Sequence, residues 1–310
     1  MPKNNPSPAH GKNHTKTSML FNFLNINCQT PLTTLQHNTT HRKSHTILTL
    51  VLLFLPLQHF PTIHAQTPHP STAFKKDRPI LKKRLQIEWY GRSFVYLTSS
   101  SGVRIAINPF PPGTPGYQFP HGLAADVVLI SDSNKVHDGA ELLSGNPLIF
   151  RGPVAVGTHR ASGIIFNGIA TRQQKSSNPH TDHNTIFFFT LDGMKIVHLG
   201  SLGHSLTPKE ISTIGRADIL FVPIGNRKLS LEDIDKIIYD LDPAIVIPIE
   251  YALRPHDQKS QLRPAAPFLK YEKNIVPIEE HGFLIGPDLL PDTTTIVTLI
   301  PPPHTEPLKP

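Results

Sequence analysis

ILFVPIGNRKLSLEDIDKIIYDLDPAIVIPIEY, residues 219–251, is the stretch whose reading decides the fold class. Ile219 to Pro223 and Ala244 to Ile249 are short, almost wholly apolar runs, the pattern of strands buried on both faces. Between them Leu231, Ile234, Ile237, Ile238 and Leu241 recur at helical spacing. Ser230 and Asp233 stand as a capping box at the start of that helix. Strand, helix and strand in this order predict sheets covered by helices and disfavour a bare β-sandwich. Upstream, Thr207-Pro208-Lys209-Glu210 carries a second helix start, with Thr207 as cap and Pro208 at the first helical position.

Toward the N-terminus the period changes. Gln86 to Tyr90, Phe94 to Thr98, Arg104 to Ile107, Val127 to Ile130, Thr185 to Leu191 and Lys195 to Leu199 are short β-like runs. Ser100-Ser101-Gly102 and Asp192-Gly193 sit where hairpins need turn residues. The packed domain is therefore expected over 85–300, after a Pro-rich basic linker at 66–84. A Pro-rich tail follows at 301–310.

The 310 residues carry a formal charge of +7, but its placement matters more than its size. The leader, 1–65, holds Lys3, Lys12, Lys16, Arg42 and Lys43 and no acid, so 25 basic residues face 23 acidic ones in the remainder. No stripe of Lys and Arg is left to follow a phosphate backbone, and nucleic acid is not an expected partner. His41-Arg42-Lys43 precedes the apolar segment 47–57, and Ile63-His64-Ala65 then offers an export-type cleavage site. That segment is shorter than the roughly 20 residues a membrane span needs. Export to the periplasm or the exterior, with cleavage near Ala65, is the expectation, and the mature chain then has no membrane span. A membrane anchor or an organelle transit peptide competes with it. Cys28, the single cysteine, lies in the leader, so disulfides, thiolate nucleophiles and Cys-bound zinc are excluded from the mature protein. No G-x-S-x-G elbow, G-x-G-x-x-G turn or phosphate loop occurs.

Six segments then follow in unbroken order. They are Trp89-Tyr90-Gly91-Arg92-Ser93-Phe94, Ile107-Asn108-Pro109-Phe110, and Ala125 to Ile130 running into Ser131-Asp132-Ser133-Asn134-Lys135-Val136-His137. The hairpin Asn184 to Gly193, then His198-Leu199-Gly200-Ser201-Leu202-Gly203-His204, and finally Ile247-Pro248-Ile249-Glu250-Tyr251 complete the set. This order resembles the metallo-β-lactamase superfamily, particularly its branch of ascorbate-phosphate-lactonase-like and predicted zinc-dependent hydrolases. There the corresponding motifs read W-x-G-H-x-x-F, I-D-P, S-H-x-H-x-D-H, H-x-G-D-x-G-H and I-P-x-H-Y. The resemblance implies an α/β fold, a metallo-β-lactamase-like αββα sandwich of two mixed β-sheets flanked by helices. It also implies a pair of metals at the strand ends that activate a bridging water.

The ligands, however, are replaced. Asp132 and Asn134 stand where the first two His belong, and Gln173 in Thr171-Arg172-Gln173-Gln174 stands where the later His belongs. Val136 replaces the motif Asp, Ser201 the bridging Asp and Glu250 the final His, while His137 alone of seven positions is retained. Arg92 and Asn108 replace the peripheral His and Asp. Two arrangements compete. In one, Asp132, Asn134, His137, Gln173, Ser201 and Glu250 form a hydrogen-bonded network in place of metals, with Arg92 as counter-charge. In the other, Asp132, His137 and Glu250 hold one divalent ion, zinc, manganese or iron. His180-Thr181-Asp182-His183 reads as a solvated loop cluster, and His198 and His204 as structural or lining residues. The expected function is a catalytically inactive hydrolase homologue that binds a small molecule or a protein. The alternative is a divergent metal-dependent hydrolase cutting an ester, lactone, amide or phosphoester bond.

Overall fold

The computed structural model describes residues 82–132, 137–173, 182–253 and 262–303. The leader with its segment 47–57, linker residues 66–81 and tail residues 304–310 lie outside the described residues, as do Asn134, Val136, His180 and Thr181. Among the described residues no helix is long and apolar enough to cross a membrane.

Alternation of side chains builds the first sheet. Its strands are β1 (Leu85–Gly91), β2 (Phe94–Thr98), β3 (Arg104–Ile107), β4 (Val127–Ile130) and β5 (Leu148–Arg151), joined later in the chain by β13 (Gly282–Ile285). The order is β13-β1-β2-β3-β4-β5. Pairing is antiparallel from β13 to β3 and parallel from β3 to β5. Leu85, Ile87, Trp89, Val95, Leu97, Ile105, Ile107, Val127 and Leu129 fall on one face and join the core shared with the second sheet. Phe94, Tyr96, Ala106, Val128 and Ile130 fall on the other.

The second sheet contains β6 (Gly157–Ala161), β7 (Ile164–Arg172), β8 (His183–Leu191), β9 (Met194–His198), β10 (Ile219–Pro223), β11 (Ile245–Ile249), β12 (Ile275–Pro277) and β14 (Thr295–Thr298). It runs in the order β12-β14-β11-β10-β9-β8-β7-β6 and is likewise mixed. From β12 to β9 the pairing is parallel, and from β9 to β6 it is antiparallel. Every residue of β10 and β11 is buried, so both faces of this parallel part must be covered. Helices α1 (Pro208–Ile214) and α2 (Leu231–Leu241) contribute Ile214, Ile234, Ile237 and Leu241 to the same core. Both start on a complete capping box, Thr207 with Glu210 and Ser230 with Asp233. A single turn, α3 (Ala266–Leu269), adds Phe268.

The two-sheet architecture is the one expected, and four of the expected strands match residue for residue. The outer layer over the first sheet differs. Among the described residues it is an aromatic cluster built from Tyr90, Phe94, Phe110 and Tyr117, closed by the 3₁₀ turn Ala140–Leu142, and no α-helix lies there. The strands β5 and β6 had no sequence signature because they are the exposed edges of their sheets, where alternation is not enforced. At one end of the sandwich the two hairpin turns are tied together: the Asp192 carboxylate accepts from the Ser100 backbone N–H and hydroxyl, each at 2.6 Å.

Trp89 sits fully buried between the sheets, its ring stacked on Tyr251 at 5.2 Å. Trp89→Ala is expected to lower stability by roughly 3–5 kcal/mol. Because Trp89 is the only tryptophan, urea unfolding should be followed by far-ultraviolet circular dichroism. A loss below about 1 kcal/mol, the range of surface substitutions, contradicts the packing described.

Candidate functional site

The loops at the C-terminal ends of β1, β3, β4, β9 and β11 supply Arg92, Asn108, Asp132, Ser201 and Glu250. Three of these, Arg92 (φ 52°), Asn108 (φ 49°) and Glu250 (φ 50°), hold the left-handed backbone that non-glycine residues seldom adopt. Local bonds hold each in place. A β-bulge between Trp89 and Gly91 turns the chain toward Arg92, whose carbonyl accepts from the Trp89 indole at 2.9 Å and from the Glu250 backbone N–H at 2.8 Å. The Asn108 side chain accepts from the Ser131 N–H at 2.8 Å and donates to the Ser131 hydroxyl at 2.9 Å. Gly200 (φ 62°) is required between β9 and Ser201, because a Cβ there would sit 2.3 Å from the Asn184 side-chain oxygen.

These loops deliver a closed polar group. Asp132, His137, Ser201 and Glu250 are only 2, 1, 5 and 7 % exposed. The His137 Nδ1 lies 2.9 Å from Asp132 Oδ2, and its Nε2 lies 3.5 Å from both Glu250 Oε1 and Ser93 Oγ. The Ser201 hydroxyl donates to Glu250 Oε2 at 3.1 Å. Behind it Asn184 accepts from the Ser201 N–H at 2.8 Å and donates to the Leu199 carbonyl and the Thr171 hydroxyl. Burial alone lowers the pKa of His137, but the carboxylates of Asp132 and Glu250 outweigh it and raise the value to about 10. His137 is therefore an imidazolium at neutral pH and supplies a counter-charge to both carboxylates.

His198 behaves in the opposite way. Its Nδ1 accepts from the Gly200 N–H at 3.0 Å, while Nε2 makes no hydrogen bond among the described residues. Burial first, and the nearby His137 charge next among the lowering effects, bring its pKa to about 3. It stays neutral.

Asp132 and Glu250 sit against opposite nitrogens of one imidazole, whose lone pairs diverge. The neutral Ser201 hydroxyl stands where a bridging carboxylate belongs, and it is spent on Glu250. Among the described residues no three or more His, Cys, Asp or Glu side chains converge to hold a metal. The described donor set does not fit the family's metal pair. Gln173 is not hydrogen-bonded into the His137 group among the described residues; its side chain donates to the His183 carbonyl at 3.2 Å. Nor are Asp182 and His183 a solvated loop: Asp182 is buried, and His183 opens β8 opposite Arg172 because that strand extends further than its apolar run.

Sequence reasoning did not find Ser93, Thr171 or Asn184, all buried. The available signal was an Asn heading the apolar run of β8, where an uncompensated amide would be costly. It also missed a cavity of about 940 Å³ beside the group, lined by Thr171, Arg172, His183, His204 and Lys228 among others. Thr171 belongs to both sites, since its hydroxyl bonds Asn184.

A family model described as "Beta-lactamase superfamily domain" matches residues 86–250. A UPF0173 metal-dependent hydrolase of Methanosphaera stadtmanae is 28% identical over 54% of this chain and 84% of its own. A proposed Zn-dependent hydrolase of the metallo-β-lactamase superfamily from Thermotoga maritima, known from a crystal structure, aligns with a TM-score of 0.57 and 26% identity. That alignment covers 69% of this chain and 98% of the other.

The two buried histidines set opposite pH limits. An unfolded His titrates near 6.5. His137, raised in the fold, contributes stability that is fully present below that value and is lost as pH rises through about 10. His198, lowered in the fold, contributes stability above the unfolded value, lost as pH falls toward about 3. In ¹⁵N NMR, His137 should show two protonated nitrogens at pH 8 and His198 one at pH 5. The alkaline fall in denaturation midpoint should be smaller in His137→Gln than in the parent. A neutral His137 ring at pH 8 would contradict the assignment.

Proposed function

The chain belongs to the beta-lactamase superfamily domain family, and from that membership we propose a catalytically inactive relative of its hydrolases, which binds a ligand or partner at the strand ends. The observation that carries the proposal is the engagement of both nitrogens of His137, the single retained family ligand, by carboxylates. In a working site of this family one nitrogen faces a metal and only the other faces a supporting carboxylate or carbonyl. Here a proton takes the place of the metal charge, and Ser201 closes the remaining acceptor positions of Glu250. Such a group stabilises the strand ends and holds their loops in shape. On this reading no metal activates a water, and the family's hydrolytic nucleophile is not formed. The leader supports export as part of the same reading, with cleavage near Ala65.

The names of the two relatives, a metal-dependent and a proposed Zn-dependent hydrolase, favour a second reading. In it Asp132, His137 and Glu250 hold one divalent zinc, manganese or iron ion, and an ester, lactone, amide or phosphoester bond is cut. Elemental analysis separates the two. Refolded with zinc or manganese and then desalted, the protein is expected to keep less than about 0.1 equivalent of metal. Stoichiometric metal, with esterase or phosphodiesterase turnover that disappears in His137→Ala and Glu250→Ala, would overturn the inactive reading.

A further inference from the structure

The cavity of about 940 Å³ at the ends of β7 and β8 lies within the size range of small-molecule sites. Its wall combines acids that are already used with cations that are not all used. The Glu210 carboxylate accepts from the Thr207 N–H at 2.6 Å and the Thr207 hydroxyl at 2.9 Å, closing the capping box of α1. Asp233 accepts from the Ser230 hydroxyl at 2.8 Å and from the Ser205 hydroxyl, closing that of α2. Both acids thus point at helix starts, where backbone N–H groups and the helix dipole offset their charge.

The two histidines of the wall divide similarly. His204 is satisfied by backbone on both sides: Nδ1 donates to the Ser205 carbonyl at 2.8 Å, and Nε2 accepts from the Arg172 N–H at 3.3 Å. His183 Nε2 lies 2.8 Å from the Thr185 hydroxyl, whose own hydrogen goes to the Gly152 carbonyl at 3.2 Å. Nε2 therefore donates, and the polarity of His183 toward the cavity rests with Nδ1. Lys228 is different. It lines the cavity, is exposed, and forms no ion pair among the described residues. Arg172, also exposed, lines the same cavity, and a guanidinium carries donors in a fork that suits two oxygens.

We propose that this cavity is a binding site for a small organic monocarboxylate, held by Lys228 and Arg172. A single negative charge is the better fit because the carboxyl side chains of Glu210 and Asp233 also line the cavity, and a dianion would meet both. The site deepens the binding reading above by naming a ligand class, yet it does not depend on whether His137 meets a metal. Thr171 and Asn184 connect it by hydrogen bonds to the Ser201 loop.

Phenylacetate, phenyl phosphate at pH 8 and 2-phenylethanol serve as monoanionic, dianionic and neutral probes of similar shape. Each is titrated into the full mature chain and followed by ¹⁵N–¹H NMR at Thr171, His183 and Lys228. Saturable shifts with phenylacetate are expected, with affinity reduced at least fivefold in Lys228→Ala and again in Arg172→Ala. Both side chains are exposed, so folding should be retained, and circular dichroism checks it. The proposal is overturned if phenylacetate produces no saturable shift, if 2-phenylethanol binds equally well, if phenyl phosphate binds more tightly, or if Lys228→Ala changes nothing. Protein that holds stoichiometric metal and shows esterase or phosphodiesterase turnover, yet still binds phenylacetate in this way, would sink the inactive reading and leave the cavity proposal standing.

Discussion

The carbonyl oxygen of Arg92 joins the two sheets. It accepts from the indole of Trp89 on β1 and from the backbone of Glu250 at the end of β11. One acceptor therefore fixes the deepest side chain of the core and the backbone of a site residue at the same time. The arrangement requires left-handed backbone at both Arg92 and Glu250, which is costly for side chains with a Cβ. That cost is borne by a core in which Trp89 stacks on Tyr251, the residue after Glu250. Packing and site geometry are consequently one constraint. Loosening Trp89 frees Glu250.

Around that junction polar side chains converge at the strand ends, and buried carboxylates are strongly unfavourable without a counter-charge. A protonated imidazole supplies one. His137 takes the position between Asp132 and Glu250, Ser201 completes the acceptors of Glu250, and Asn184 fixes the Ser201 backbone from behind. His198 shows the complementary solution, since a ring with no carboxylate beside it is buried neutral. The two rings of one site thus carry different charge for reasons visible in their neighbours. The cavity shares Thr171 with this sealed group.

The outer layers follow the same economy. Parallel strands with every residue buried demand cover on both faces, and the capped helices α1 and α2 provide it. Over the first sheet, rings of Phe94, Phe110 and Phe119 pack on one another at 5.5 to 6.0 Å and seal the face with loop residues. A helix is one way to exclude water from a sheet, and an aromatic loop is another.

Periodicity is a local property, and so the sequence by itself determined the elements that obey it: the strands β2, β3, β4 and β10, and the capping boxes at Thr207 and Ser230. Segment order determined the superfamily. Edge strands stayed hidden because nothing local forces their pattern. Only the tertiary structure decided that Asp132 and Glu250 approach opposite nitrogens of His137, that Gln173 turns to His183, and that a cavity opens at Lys228. A ligand set is a matter of direction as well as identity. Direction comes from loops whose left-handed residues are held by partners more than a hundred positions away, as Trp89 and Arg92 are with Glu250 and Tyr251.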